Sequence, residues 1–237
     1  MSRAGRRIVL ATESLDPSGM GEHMLALARA LQPDWDIVIA APETHTGELT
    51  SRAARFGIAI KTIDEMDSFT SWLERAGVDL LHVHAGIGWE GHNLSRAGAT
   101  ASVPVIRTEH LPYLLTDPDQ KEQYERECAL LAHRIVVSEA SRASFEHQGV
   151  ASGEITVVRN GTFALDPDAV SDADAIEGLE GKRVLLTVAR FSRQKDHATL
   201  IKALPGLLAA HPSTVLLLVG RGEEMQEIGR ASCRERV

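Results

Sequence analysis

The chain has 237 residues, 43% of them hydrophobic and 24% charged, a composition ordinary for a soluble globular protein of one large domain or two modest ones. Its 33 acidic and 25 basic residues give a formal net charge of -8, which argues against general nucleic-acid binding but leaves room for a local anion site. Two cysteines, Cys128 and Cys233, with no C-x-x-C, exclude a disulfide framework and fit a reducing, cytoplasmic compartment.

No apolar run approaches the length of a transmembrane segment, and the apolar stretch in "MSRAGRRIVLATESLD" is too short for a secretory leader. Arg3, Arg6 and Arg7 leave peripheral contact with an anionic membrane open. They read more simply as a solvated lead-in to the first strand, since stable surface binding usually needs a second anchor.

The elements then follow in order. Strand "RRIVLAT" precedes helix "GEHMLALARALQ", where Met24, Leu25, Leu27, Ala28 and Leu31 fall at helical spacing. Strand "DIVIAAP" leads to helix "ELTSRAARFG", closed by Gly57, and strand "IAIKTI" to helix "FTSWLERAG". Strand "VDLLHVHA" is followed by helix "HNLSRAGATA", and strand "VPVIRTEH" by helix "QKEQYERECALLAH". Strand "RIVVS", helix "EASRASFEHQG" and strand "EITVVRN" complete the series. Near-continuous apolar strands alternating with helices predict an α/β fold, a parallel sheet covered on both faces, over residues 1–163.

After Asn160-Gly161 the texture changes. Residues 164–182 are acidic and rich in turn formers, and read as a connector with at most one short helix. Alternation restarts over residues 183–227 with strand "RVLLTVA", helix "HATLIKALPGLLAA" and strand "TVLLLVG". The sequence thus predicts two α/β units, the second incomplete. Residues 228–237, "IGRASCRERV", are polar and back-translate without strain to a common short-read sequencing adapter. They are therefore expected to be a non-native tail outside the fold, on a gene that continues.

Despite the acidic balance, Arg190, Arg193 and Lys195 crowd into the stretch "VARFSRQKDHATLIKAL", directly after an apolar strand. In open α/β sheets, ligands bind outside the carboxyl ends of the strands. Here a strand runs into a basic loop and then into a helix starting near Asp196, whose first turn offers free N–H groups. Arg190 can hold phosphate oxygens in a bidentate fork, and Lys195 adds a mobile point charge. A merely solvated charged loop fits the pattern equally well.

Other stretches sit at similar positions. In "LDPSGMGEHMLALARAL", Gly19 and Gly21 let backbone approach a ligand before a helix. "RTEHLPYLLT" places Glu109 and His110 at a strand end; "ITVVRNGTF" closes the first unit and "LVGRGEE" follows the last strand. Taken in order, "SGMGEH", "HVHAG", "RTEH", "VVSEASRASF", "VVRNG", "VARFSRQKD" and "LVGRG" resemble family 4 of the glycosyltransferases, retaining enzymes of the GT-B fold. The resemblance runs to about Gln226.

The resemblance implies two Rossmann-like domains, the first complete and on the acceptor side, the second begun and binding the nucleotide sugar. It implies transfer of a sugar from a UDP- or GDP-sugar, lying in the cleft between the domains, to a glycan, lipid or small-molecule acceptor with retention of configuration. No cofactor and no metal are expected. Carried over residue by residue, Arg190 and Lys195 would hold the diphosphate and stabilise the leaving group in place of a metal. Gly19 and Gly21 would give backbone N–H contacts to the same phosphates, and His110 would stand at the reacting centre. His84, Trp89, Glu109 and Asn160 would line the acceptor side or the cleft.

The sequence also departs from the family's pattern. Ser18-Gly19 stands where two glycines are common, and Ala189 where Gly is usual. The family's E-x7-E carboxylate pair is missing from the second unit. Glu146 with Glu154 has the spacing in the wrong unit, and Glu227 with Glu235 runs into the suspected tail. The chain as it stands is therefore expected to be inactive.

Sharper alternatives are weaker. "GMGEHM" contains G-x-G, but Met24 occupies the place of the dinucleotide fingerprint's third glycine. His82 and His84 alternate on one strand and so share a face; with His92 they could suggest a metal, but such histidines more often line a cleft or satisfy a core hydrogen bond. Asp34-Trp35-Asp36 matches D-x-D, yet similar acidic pairs recur at Asp117/Asp119, Asp166/Asp168 and Asp172/Asp174, which indicates composition. Arg107 and Glu109 could pair with each other as readily as contact an acceptor. Two other functions stay open: a non-catalytic α/β protein binding a glycan or phosphate ligand, and another sugar-nucleotide enzyme such as an epimerase or phosphorylase.

Overall fold

A computed structural model describes residues 5–15, 18–43, 48–86, 88–162, 176 and 178–234. The chain divides into two compact units, Met1–Ala164 and Leu165–Val237. The expected connector helix lies largely outside the described residues.

The first unit holds β1 (Arg7–Ala11), β2 (Asp36–Ala41), β3 (Ala59–Thr62), β4 (Val78–Ala85), β5 (Val105–Glu109), β6 (His133–Val136) and β7 (Ile155–Val157). They form one sheet in the order β3-β2-β1-β4-β5-β6-β7, with every pair parallel. The helices between them are α1 (Ser18–Leu31), α2 (Glu48–Arg55), α3 (Met66–Arg75), α4 (His92–Thr100), α5 (Pro118–Cys128) and α6 (Glu139–Glu146).

Alternation along β1 shows why both faces need cover. Val9 and Ala11 join one buried cluster with Phe69 and Leu73 of α3 and Leu94 and Ala97 of α4. Ile8 and Leu10 join the other with Met24, Leu25 and Ala28 of α1 and Leu49 and Ala53 of α2. Successive strand residues point to opposite faces, so a strand apolar throughout requires helices on both. The chain builds β1, β2 and β3 outward, then returns to lay β4 on the other side of β1. The two connections leaving Ala11 and Ala85 therefore feed helices on opposite faces, and a crevice opens at this switch of strand order.

Local signals fix several helix ends. Asp117 caps α5, its carboxylate accepting from the Gln120 N–H at 3.0 Å, with Pro118 in the first turn. Ser138 caps α6 in the same way through Ser141, and Gly57 takes the left-handed conformation (φ 68°) past the end of α2. One boundary differs from expectation: α1 begins at Ser18, three residues before Gly21, so Gly19 and Gly21 lie in its first turn and not in a preceding loop.

The second unit has β8 (Arg183–Val188) and β9 (Thr214–Val219) as a parallel pair, with α7 (His197–Ala210) between them and α8 (Met225–Arg234) after. Residues 228–234 of the segment set apart in sequence belong to α8, anchored by Ile228, which is buried with Phe191 and Ile201; residues 235–237 lie outside the described residues. The β8 face is poorly covered: Leu186 is 59% and Val188 71% exposed. No helix among the described residues is long and apolar enough to cross a membrane.

Candidate functional site

The crevice of the first unit is built from the carboxyl ends of β1, β4 and β5. Past β1, the Glu13 carboxylate accepts from the Gly91 N–H at 2.7 Å, tying the loop after β1 to the loop after β4. The latter is drawn in by Glu90, which accepts from the Gly86 N–H at 2.7 Å. Past β5, the His110 N–H donates to the Ala85 carbonyl at 2.9 Å and extends the ladder by one bond. The first turn of α1 presents unpaired backbone N–H groups, including that of exposed Gly19, whereas the N–H of buried Gly21, the fourth helical residue, enters the helix's own hydrogen-bond ladder.

Four histidines gather here. His82 and His84 stack on one face of β4, ring centroids 4.2 Å apart. His82 is satisfied inside the core, its Nε2 lying 2.7 Å from Thr108 Oγ1. His84 is fully buried, with Nδ1 3.1 Å from His110 Nε2 and its own Nε2 without a hydrogen-bond partner. His23, on α1, completes the group with its ring 5.0 Å from that of His110 and 5.6 Å from that of His84. Burial removes the solvation a charged imidazole needs. It lowers the His110 pKa to about 4 and that of His82 to about 3, with His23 adding repulsion to both. Burial also lowers the His23 and His84 values, His84 well below the ordinary range. The cluster is therefore neutral at pH 7.

Beside it lies a buried polar network. Arg107 and Glu109 are both 1% exposed, with Arg107 Nε 2.7 Å from Glu109 Oε1 in an ionic contact that is not an aligned hydrogen bond. Glu109 also accepts from the Tyr124 hydroxyl at 2.9 Å, and Arg107 Nη2 donates to the Gly88 carbonyl at 3.3 Å. Of the two readings open for Arg107 and Glu109, the internal ion pair is the one formed. Desolvation and the Glu109 charge push the Tyr124 hydroxyl pKa far upward, keeping it a hydrogen-bond donor.

The other residues expected on the acceptor side scatter. Trp89 is 40% exposed and meets His92 edge to face, centroids 5.8 Å apart. His92 turns towards Trp89 and Tyr124, so the trio His82, His84 and His92 does not converge. Asn160 is exposed beyond β7, two strands away from β5.

In the second unit, Arg190 and Lys195 are both exposed on the loop between β8 and α7. Ala189 and Phe191 donate backbone N–H groups to Val219 and Arg221, stitching this loop to the one after β9. Gly220 and Gly222 make the approach feasible: a Cβ on Gly220 would land on the Ala189 carbonyl oxygen, and one on Gly222 on that of Phe191. Asp196 (φ 50°) caps α7 and accepts from the Thr199 N–H at 3.3 Å. The helix start thus already carries a carboxylate, and attraction for an anion falls to the cations before it.

Sequence reasoning missed His23 and Glu13. His23 stands four residues after Gly19, on the same face of α1. That spacing was the available signal, once Gly19 is expected to approach a ligand.

The family model for Glycosyltransferase Family 4 matches residues 17–162, and that for Glycosyl transferases group 1 matches residues 171–232. The chain is similar to the phosphatidyl-myo-inositol mannosyltransferase of Mycolicibacterium smegmatis, 25% identical over 237 residues that cover 88% of this chain and 56% of that protein. Among solved structures, the Anabaena protein Alr3699/HepE in complex with UDP and glucose superposes with a TM-score of 0.71 at 17% identity, over 96% of this chain and 66% of that one. A UDP-N-acetylglucosamine 2-epimerase from Listeria monocytogenes gives 0.59 at 13% identity, over 98% and 66%. The chain spans little more than half the length of the curated mannosyltransferase it matches.

Proposed function

Because the chain belongs to glycosyltransferase family 4, we propose that it supplies the reacting-centre histidine and a share of the donor-phosphate contacts for retaining transfer of a sugar from a nucleotide-diphosphate sugar. One observation carries this reading. His110 stands at the switch of strand order as a neutral imidazole, near a helix first turn whose free N–H groups include that of Gly19, with Gly21 closing the same turn. A neutral imidazole can accept or donate a hydrogen bond to a sugar hydroxyl without charge repulsion against the developing oxocarbenium ion. The phosphates leave as an anion, and Arg190 and Lys195 are assigned to that charge.

The donor is a UDP- or GDP-sugar; UDP and glucose in the Anabaena structure support that class. A lipid acceptor is supported by the mannosyltransferase relative, whose name specifies phosphatidyl-myo-inositol. With its buried ion pair, Glu109 takes a supporting place beneath the crevice. Trp89, on an exposed loop, remains the aromatic surface for an acceptor. Within residues 165–227 no E-x7-E pair occurs, so residues 1–227 alone are proposed not to turn over.

The deciding experiment offers labelled UDP- and GDP-sugars, with lipid and glycan acceptors, to a full-length protein containing this chain. Product anomers are then read by NMR. An α-linked product from an α-linked donor supports the reading. An inverted product overturns retention. A C2-epimerised nucleotide sugar or a free sugar 1-phosphate would replace transfer by epimerase or phosphorylase chemistry, and binding without any product would leave the non-catalytic ligand-binding reading.

A further inference from the structure

We infer that His23, His84 and His110 form a binding site for one divalent transition-metal ion of the zinc class. Each offers a ring nitrogen, and the three nitrogens lie within 4.8 Å of one another. They come from separate elements: the first turns of α1, the end of β4 and the residue after β5. Two of the three are already at coordination spacing. The 3.1 Å between His84 Nδ1 and His110 Nε2 is close to the edge of about 3.3 Å expected for a tetrahedron with bonds of about 2.0–2.1 Å. His23 is only partly buried, and a rotation of its side chain brings the third nitrogen in.

Imidazole binds such ions as the neutral base, the form that burial enforces here. The present His84–His110 contact needs one proton between two nitrogens. An ion would take both lone pairs, with that proton moving to the other nitrogen of its own ring; no net charge leaves the protein. A water completes the fourth position, as in zinc sites with three histidines. Neighbouring His82 supplies no ligand, since its Nε2 is held by Thr108. A bound ion would fix the His110 ring and place a cation beside the imidazole that the proposed function sets at the sugar, so the site would oppose transfer and play no part in it.

The test titrates the 237-residue chain with Zn2+ against a chromophoric chelator, and separately with Co2+, at neutral pH without nucleotide or acceptor. The expected result is one equivalent bound, with the visible d–d bands of a tetrahedral nitrogen site for Co2+. His23→Gln and His110→Gln should each weaken binding by at least about tenfold, the lower bound set by the loss of even an outer-shell partner. His147→Gln, at an exposed position, should leave it unchanged. Both test side chains are partly exposed, and circular dichroism checks that each variant folds. No stoichiometric binding, or equal binding in all three variants, overturns the site. Because no sugar is present, either result stands apart from the outcome of the transfer assay.

Discussion

His84 Nδ1 lies 3.1 Å from His110 Nε2, a contact that follows from the parallel register of β4 and β5. Ala85 pairs with Glu109, so the residue after Glu109 reaches back diagonally over the strand end to the His84 ring. The backbone ladder therefore aims His110 at the crevice, and the side chain needs little support of its own.

If His110 serves the reacting centre, alanine there removes chemistry and not binding. In the full-length protein, His110→Ala is expected to lower kcat by about 10²–10⁴-fold with KM little changed. Steady-state kinetics with a fixed donor would check this. A wild-type kcat would remove His110 from the mechanism.

Acid should destabilise the first unit through its histidines. The pKa values of His82, at about 3, and of His92 and His110, at about 4, lie below the unfolded value of about 6.5. The unfolded chain then takes up protons that the folded chain refuses. Stability is full above about pH 6.5 and falls as pH drops towards the folded values, by about 2 kcal/mol each for His82 and His110 near pH 4.5 and by less for His92. Urea midpoints between pH 7 and pH 4.5 would reveal the slope, and substituting His82 by Phe should reduce it. A flat profile would contradict the neutral cluster.

The Arg107–Glu109 pair should behave as an internal structural device. Glu109→Gln strands a buried guanidinium and is expected to cost about 3–5 kcal/mol. Arg107→Met with Glu109→Leu should recover most of that loss, because neither charge is then left alone. Chemical denaturation distinguishes the cases. A Glu109→Gln protein of normal stability that has lost only acceptor affinity would return Glu109 to the acceptor site.

Arg190→Ala and Lys195→Ala should each weaken nucleoside-diphosphate binding to the full-length protein, by about tenfold or more at low salt. Arg190→Lys should rescue only partly, since an ammonium lacks the bidentate fork. Calorimetric titrations at two ionic strengths would show whether the contacts are electrostatic. Unchanged affinity would mark the loop as a solvated surface.

Gly220→Ala tests the stitching beneath those cations. The new methyl would meet the Ala189 carbonyl, forcing apart the two loops that Ala189 and Phe191 join by hydrogen bonds. The expected result is a loss of about 1–3 kcal/mol, the range for overpacking, together with weakened diphosphate binding although no phosphate contact is removed. Hydrogen exchange at Ala189 and Phe191 should rise. Unaltered exchange would mean that the backbone relaxes at no penalty.

Strands and layers were legible because β-branched runs buried on both faces leave no other periodicity, as Ile8 to Ala11 show. His110 was legible as a strand-end residue through its family motif. His23 was not, because a helical pattern gives spacing but not which turn meets the sheet edge. The start of α1 was missed because glycine is a poor helix former, a penalty of little weight in a first turn whose N–H groups have no intrahelical partner anyway. The helix through Ile228 was missed because a single apolar residue in a polar segment carries no periodic signal; its partners Phe191 and Ile201 stand far away in sequence.

The bare face of β8 has a consequence for how this polypeptide survives. Val184, Leu185, Leu186 and Val188 present apolar side chains to water from one short parallel pair, a structure with little independent stability. Such a surface is a ready partner for partly folded chains and for holdase chaperones. The soluble yield of the 237-residue polypeptide should therefore track chaperone supply more closely than any substitution in the histidine cluster.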